Sequence, residues 1–334
     1  MSRKNFDMLT TVLTDKTVLV TGGTGSFGKA FCRAALDSQV KKLIVFSRDE
    51  QKHYAMQREF SDPRMRFFVG DIRDGARLRT AFRNVDIVIH AAAMKHVPIC
   101  EYNPIEAVRT NIEGARHIIE AALENDVEKV LSLSTDKAVA PANLYGASKL
   151  CMEKLLTAAN AYSGTRDTRF SLVRYGNVMG SAGSVIPLFR NQAEKEGRLT
   201  ITDERMTRFW IDMDGAIELV LQGLARMRGG EIFIPKLPTT DIVTLAEAMA
   251  PGMPRECIGI RPGEKLHETL ISEEEARRTR DLGDLLVISP EFQFHDRSRD
   301  LPGDPLPDDF RYRSDQPEFR LDVDAARELL GKVA

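Results

Sequence analysis

The chain has 334 residues, 43% of them hydrophobic, enough for one large domain or two packed ones and too many for global disorder. Its net charge of −2, with both signs mixed along the chain, argues against a nucleic-acid coat or a polybasic membrane patch. Cys32, Cys100, Cys151 and Cys257 form no CxxC pair, no apolar run is long enough to span a membrane, and the N-terminus has no signal-peptide pattern, so the expectation is a soluble cytoplasmic protein without a metal.

In chain order, "KTVLVTG", "KLIVFS", "MRFFVG", "VDIVIHAA" and "KVLSLST" are short, nearly continuous apolar runs. Between them lie "SFGKAFCRAALDS", "EQKHYAMQREF", "GARLRTAFRN" and "IEAVRTNIEGARHIIEAALEN", which have helical spacing. This alternation predicts a parallel sheet covered on both faces. A long helix is predicted from Tyr145 to about Tyr162, and "RFSLVRYGNV" reads as a strand that breaks at Gly176. Beyond it the segments are shorter and more irregular. Residues 290–317, rich in Pro, Asp and Arg, are expected to form an extended surface segment, followed by a short helix "DVDAARELLG". Trp210, His90 and His96 are read as core, packing or surface residues rather than catalysts.

"VLVTGGTGSFGKA" places Gly22, Gly25 and Gly28 directly after the first strand and at a helix start. Such a turn permits tight chain reversal, approach of a pyrophosphate and close helix–strand packing, with helix N-terminal amides facing the phosphates. The spacing predicts a Rossmann-type α/β fold that binds a dinucleotide. At the end of the second strand, Ser47 and Arg48 favour a 2′-phosphate and hence NADP, while Asp49 keeps NAD open. A solvated charge cluster opening a helix is the plainer alternative for that segment. The expected cofactor contacts are Gly22, Thr24, Gly25, Ser26, Phe27, Gly28, Ser47, Arg48, Asp49, Glu50, Lys52, Asp71, Ile72, Ala91, Lys95, Tyr145 and Lys149. The NADP-binding domain is drawn over 1–176 with a returning segment 212–237. A smaller substrate-binding domain and tail take 177–211 and 238–334.

"LSLSTDKAVAPANLYGASKL" gathers Thr135, Asp136, Lys137, Tyr145 and Lys149. Tyr145 and Lys149, four apart, share a helix face. An ammonium beside a phenol favours phenolate, which can take a hydroxyl proton as hydride leaves the same carbon. Oxidation of an alcohol needs no more than the hydroxyl, phenol and one amine, so Asp136 and Lys137 point to a further acid–base task. Without the neighbouring motifs they would read as a surface ion pair.

These motifs resemble the extended, nucleotide-sugar branch of the short-chain dehydrogenase/reductase superfamily. "STDKA", "LYGASK", "RYGNVMGSAGSVIP", "RMTRFWI" and "IGIRPGEKLHE" are similar to the inverting UDP-N-acetylglucosamine 4,6-dehydratases of pseudaminic acid biosynthesis, which serve flagellin and other surface glycans. The resemblance implies a tightly held, recycled NADP. It implies that Tyr145 deprotonates O4, that Lys137, its pKa lowered by burial or by Lys149, removes the C5 proton, and that protonated Asp136 assists departure of the C6 hydroxyl. It implies UDP-N-acetylglucosamine as substrate, contacted by Lys95, Lys137, Asn177, Val178, Met179, Gly180, Ser181, Ala182, Arg208 and Arg261, and a homo-oligomer, dimer or hexamer. Retaining dehydratases carry Glu where this chain has Lys137. The rival readings are a retaining dehydratase or C5-epimerase for capsule or lipopolysaccharide sugars, a 4-epimerase, and a non-catalytic NADP sensor or scaffold.

Overall fold

The computed structural model describes residues 10–164, 167–181, 184–292 and 302–331. Six strands, β1 (Thr17–Thr21), β2 (Lys42–Ser47), β3 (Met65–Val69), β4 (Ile87–His90), β5 (Lys129–Thr135) and β6 (Arg169–Tyr175), pair in the order β3-β2-β1-β4-β5-β6, all parallel. Every residue of β1 and β4 is buried, as expected for runs covered on both faces. The strand Ile232–Pro235 extends the sheet in parallel on β6. Leu285–Ile288, Thr279–Asp281 and Asp304–Pro305 then finish it antiparallel, giving ten strands.

The helices Ser26–Leu36 and Met213–Arg226 pack together, and Gly75–Ala81, Gly114–Glu124 and Leu144–Tyr162 form a second helical layer. Gly223 lets Met213–Arg226 lie close on the sheet, since a Cβ there would stand 3.3 Å from Leu131 and Val173. Strand order reverses between β1 and β4, so the carboxyl ends of these two strands open a crevice. In doubly wound sheets, ligands bind in that crevice.

The smaller lobe has a three-stranded sheet of Asn177–Val178, Thr207–Ile211 and Thr239–Asp241. Its own core includes Met179, Phe189, Leu199, Trp210 and Leu245. Trp210 is 2% exposed and its indole N–H donates to Thr240 Oγ1 at 2.7 Å. The C-terminal stretch departs from the expected surface course. Tyr312 is 1% exposed, accepts a hydrogen bond from the Leu237 amide at 2.6 Å, and meets Phe209 and Phe319 edge to face at 4.9 Å. Two aromatic anchors inside a polar, proline-rich run are enough to draw it into the core. Residues 293–301 of that stretch lie outside the described residues. The helix Val323–Gly331 packs on Ile242–Met249. Among the described residues, no helix is long and apolar enough to cross a membrane.

Candidate active site

The glycine turn has the shape its spacing predicts. Gly22 adopts φ +66°, and a Cβ there would sit 3.0 Å from the Ala92 backbone, so both conformation and space demand glycine. A Cβ on Gly28 would fall 2.4 Å from Gly23, which fixes the close approach of helix and turn. Gly23, not assigned a role from the spacing, is equally confined, against Val20 O and Val45 at 2.9 Å. Gly25 precedes the Ser26–Leu36 helix in extended conformation, and no side chain caps that helix. Its first-turn amides, over Ser26 and Phe27, therefore face the crevice as donors for an anion. These features fit a pyrophosphate. Ala91 is half-buried on the facing strand end, while Lys95 is exposed.

At the end of β2, Thr24 Oγ1 and Ser47 Oγ are 2.8 Å apart, and Ser47 Oγ lies 3.0 Å from His53 Nε2. Asp49 is committed locally: it caps the Glu50–Glu59 helix by accepting from the Lys52 amide at 3.0 Å, and that bond lowers its pKa. Glu50 is exposed. Arg48 is largely exposed, 4.0 Å from Asp71, which is held mainly by Arg73 at 2.7 Å. Ile72 is buried against Gly114, where a Cβ would stand 2.8 Å from its side chain.

β5 delivers Thr135 to the crevice, and a 3-10 turn, Asp136–Ala138, follows at once. Thr135 Oγ1 donates to Asp136 Oδ1 at 2.9 Å and accepts from the Lys137 amide at 3.3 Å. The Leu144–Tyr162 helix begins with Asn143, whose Oδ1 accepts from the Gly146 amide at 2.8 Å. Gly146 must be glycine, because a Cβ would fall 2.1 Å from Lys137 O. The helix start is thereby pressed onto the 3-10 turn, and the Thr135 hydroxyl comes near enough to the Tyr145 phenol to favour its ionised form.

Lys137 Nζ lies 3.1 Å from Asp136 Oδ1, 3.4 Å from Asn177 Oδ1 and 3.3 Å from Glu268 Oε1. Asp136 is fully buried, and its Oδ2 has no hydrogen-bond partner among the described residues. Burial lifts the Asp136 carboxyl above the usual range against the pull of Lys137, and Glu268 adds to the rise. Glu268 is held in the opposite direction. Burial alone would raise it, but Lys137, Arg208 and Lys265 bring it below the ordinary value.

Two expectations need correction. Burial works to lower the Lys137 pKa, but Asp136 and Glu268 overcome it, so the ammonium is favoured rather than the free amine. The cation that bears on it is Arg208, not Lys149. Tyr145 is likewise pushed up, to about 12, by burial, and the cation that draws it back is Lys137. Lys149 is turned beneath the site, donating to Leu133 O at 2.6 Å, and burial brings it down to about 8 against the pull of Glu153. Helical spacing puts Tyr145 and Lys149 on one face but does not say which carbonyl the lysine will reach.

The expected substrate residues divide. Asn177 joins the cluster through Lys137. Val178 pairs with Ile211, Met179 is buried, and Gly180 takes φ +68° beside a cavity of about 320 Å³ that Arg190 and Asn191 also line. Ser181 donates its amide to Val178 O at 3.4 Å, while Ala182 lies outside the described residues. Arg208 is spent on carbonyls, donating to Thr207, Lys265 and Leu266 at 2.7–3.0 Å, and so shapes the loop that carries Glu268. Arg261 is on an exposed loop with its amide bonded to Glu264, away from the described cluster's contacts.

Sequence reasoning missed Glu268, although it ends the quoted "EKLHE", because its partner is far away in the chain. It also missed Asn111, 1% exposed, which bonds the Met94 amide and carbonyl at 2.8 and 2.9 Å and Ser148 Oγ at 2.9 Å. That side chain ties the loop after β4 to the helix carrying Tyr145. Among the described residues, no group of His, Cys, Asp or Glu could hold a metal ion.

Residues 18–290 match the polysaccharide biosynthesis protein family. A relative from Campylobacter jejuni, a UDP-N-acetylglucosamine 4,6-dehydratase (inverting), is 50% identical over 309 residues, 90% of this chain and 92% of that one. A UDP-glucose 4-epimerase from Rickettsia canadensis is 44% identical over 82% of this chain and 83% of its own. The X-ray structure of Pen from Bacillus thuringiensis superposes with a TM-score of 0.89 at 38% identity, covering 96% of this chain and 99% of that one.

Proposed function

The chain belongs to the polysaccharide biosynthesis protein family of extended short-chain dehydrogenases, and from that premise we propose that it is an NADP-dependent hydro-lyase that converts UDP-N-acetylglucosamine to the C5-inverted 4-keto-6-deoxy sugar, the first step of pseudaminic acid biosynthesis. The observation that carries this reading is the buried Asp136 carboxyl, raised in pKa and 3.1 Å from the Lys137 amine.

The cofactor fits the turn Gly22–Gly28, with Ser47, Arg48 and Lys52 toward a 2′-phosphate. Asp49, engaged as a helix cap, offers a ribose diol less than a free carboxylate would. A nicotinamide held there would supply a reversible hydride store, so that none would be consumed over the cycle. Residues 1–176 and 212–237 serve the cofactor, and 177–211 and 238–334 the sugar nucleotide.

Tyr145, as the phenolate, takes the O4 proton and becomes the phenol, with the Thr135 hydroxyl and the positive charge of Lys137 favouring the phenolate against its burial. Elimination then needs an acid and a base side by side. Ionised Asp136 with the Lys137 ammonium, and neutral Asp136 with the Lys137 amine, contain the same protons. Burial disfavours the ionic arrangement, so substrate that displaces water shifts the pair toward the neutral one. In that form Lys137 removes the C5 proton and Asp136 delivers a proton to the departing C6 hydroxyl. This removes the difficulty of a raised Lys137 pKa without an outside proton acceptor. A 4-epimerase, the activity named for the Rickettsia relative, needs neither group. We further propose that the protein works in the cytoplasm as a homo-oligomer.

The test is turnover of UDP-N-acetylglucosamine in deuterated water followed by NMR. Deuterium at C5, loss of the C6 oxygen and inverted C5 are expected. Retained C5 configuration would move the protein to the retaining group, a C4 epimer to the epimerases, and no turnover with intact NADP binding to a sensor. Lys137→Ala is expected to abolish dehydration while cofactor binding stays near wild type.

A further inference from the structure

Glu268 is a carboxylate that the mechanism above does not use. Its side chain is 3% exposed, and its Oε2 has no hydrogen-bond partner among the described residues. Its backbone is fixed on both sides: the amide donates to Ser314 Oγ at 2.9 Å and the carbonyl accepts from the Ser314 amide at 2.9 Å. Ser314 Oγ is in turn 2.7 Å from Thr207 Oγ1. The main chain that carries the carboxylate is therefore held in place, and Oε1 reaches Lys137 Nζ at 3.3 Å.

Resting on the dehydratase reading, we infer that Glu268 is a positioning residue for Lys137: it holds the amine over the cleft opposite Asp136 and sets the pH range in which the acid–base pair works. The charged and titratable groups around Lys137 come from every side. Asp136 is on its own turn, Tyr145 on the long helix, Arg208 on the strand Thr207–Ile211, and Lys265 and Glu268 on the loop before Thr269. Lys265 is anchored to Val139 O at 2.7 Å and faces Glu268 Oε2 at 3.8 Å. Without Glu268, Lys137, Lys265 and Arg208 would share Asp136 as their buried counter-charge. Removing one negative charge from such a cluster makes every proton in it easier to lose. Both Asp136 and Lys137 feel Glu268 in the same direction. A carboxylate that merely braced the loop would alter stability or the height of the rate profile, not its position on the pH axis.

The experiment uses Glu268→Gln and Glu268→Asp beside the wild type, with two readouts. The first is competitive acetic anhydride labelling of Lys137 against pH, read by peptide mass spectrometry. The second is the pH–rate profile with UDP-N-acetylglucosamine. In Glu268→Gln the labelling midpoint is expected to fall by about one pH unit or more, with both limbs of the rate profile moving the same way. Glu268→Asp, which keeps the charge but withdraws it by one methylene, falls between, and carries the test alone should Glu268→Gln not fold. An unmoved Lys137 midpoint overturns the inference, even with normal turnover. A shifted midpoint in a protein that turns over no UDP-N-acetylglucosamine sustains the role of Glu268 and overturns the dehydratase reading instead.

Discussion

Asp136 and Glu268 flank one ammonium and are both buried, yet their pKa values move in opposite directions, Asp136 up and Glu268 down. The difference lies in their company, since Glu268 faces Lys137, Arg208 and Lys265 while Asp136 has chiefly Lys137. Environment of this kind separates an acid from a counter-ion on otherwise like side chains. His90 gives a measurable consequence away from the chemistry. It is 1% exposed, bonded to Thr21 Oγ1 at 2.8 Å, and burial lowers it to about 3. Its folded pKa lies below the unfolded value of about 6.5. Its stabilising contribution is therefore full above about pH 6.5 and lost as pH falls toward 3. Thermal melting between pH 7 and 4 is expected to fall more steeply for wild type than for His90→Gln. Equal slopes would show that the ring is not buried neutral.

At the scale of elements, the site depends on how tightly one helix start meets one strand end. Gly146→Ala would push its new methyl into Lys137 O and part Tyr145 from Thr135. A stability loss of about 1–3 kcal/mol is expected from overpacking, with a fall in turnover of about a hundredfold for misplacement near 1 Å. Urea unfolding and steady-state kinetics would read the two effects, and unchanged turnover would show that the contact is not what seats the phenol. This junction was largely legible in the sequence, because strand, turn and helix are consecutive and their apolar spacing is local. Gly22 and Gly28 were legible for the same reason. The direction of Lys149 and the capping duty of Asp49 were not, since each depends on which backbone group lies within reach after folding.

At the scale of the molecule, segments far apart in the chain are joined by buried charge. Arg174 of β6 is 1% exposed and bonds Glu153 of the Tyr145 helix at 2.6 Å and Glu275 of the short helix Glu273–Ala276 at 2.9 Å. Arg174→Met would leave two buried carboxylates uncompensated and is expected to cost about 3–5 kcal/mol in urea unfolding. A loss under about 1 kcal/mol would mean that water or other donors replace it. These long-range pairs explain what the sequence withheld. Lys265 and Val139 touch across 126 positions, and nothing periodic marks such a pair. The aromatic anchor Tyr312 was hidden by its polar neighbours. Ser314, fully buried behind Glu268, is another such long-range partner. Ser314 joins the amide of Glu268 to the hydroxyl of Thr207, so the acid–base cluster is complete only once this late stretch of chain has folded back between two earlier ones.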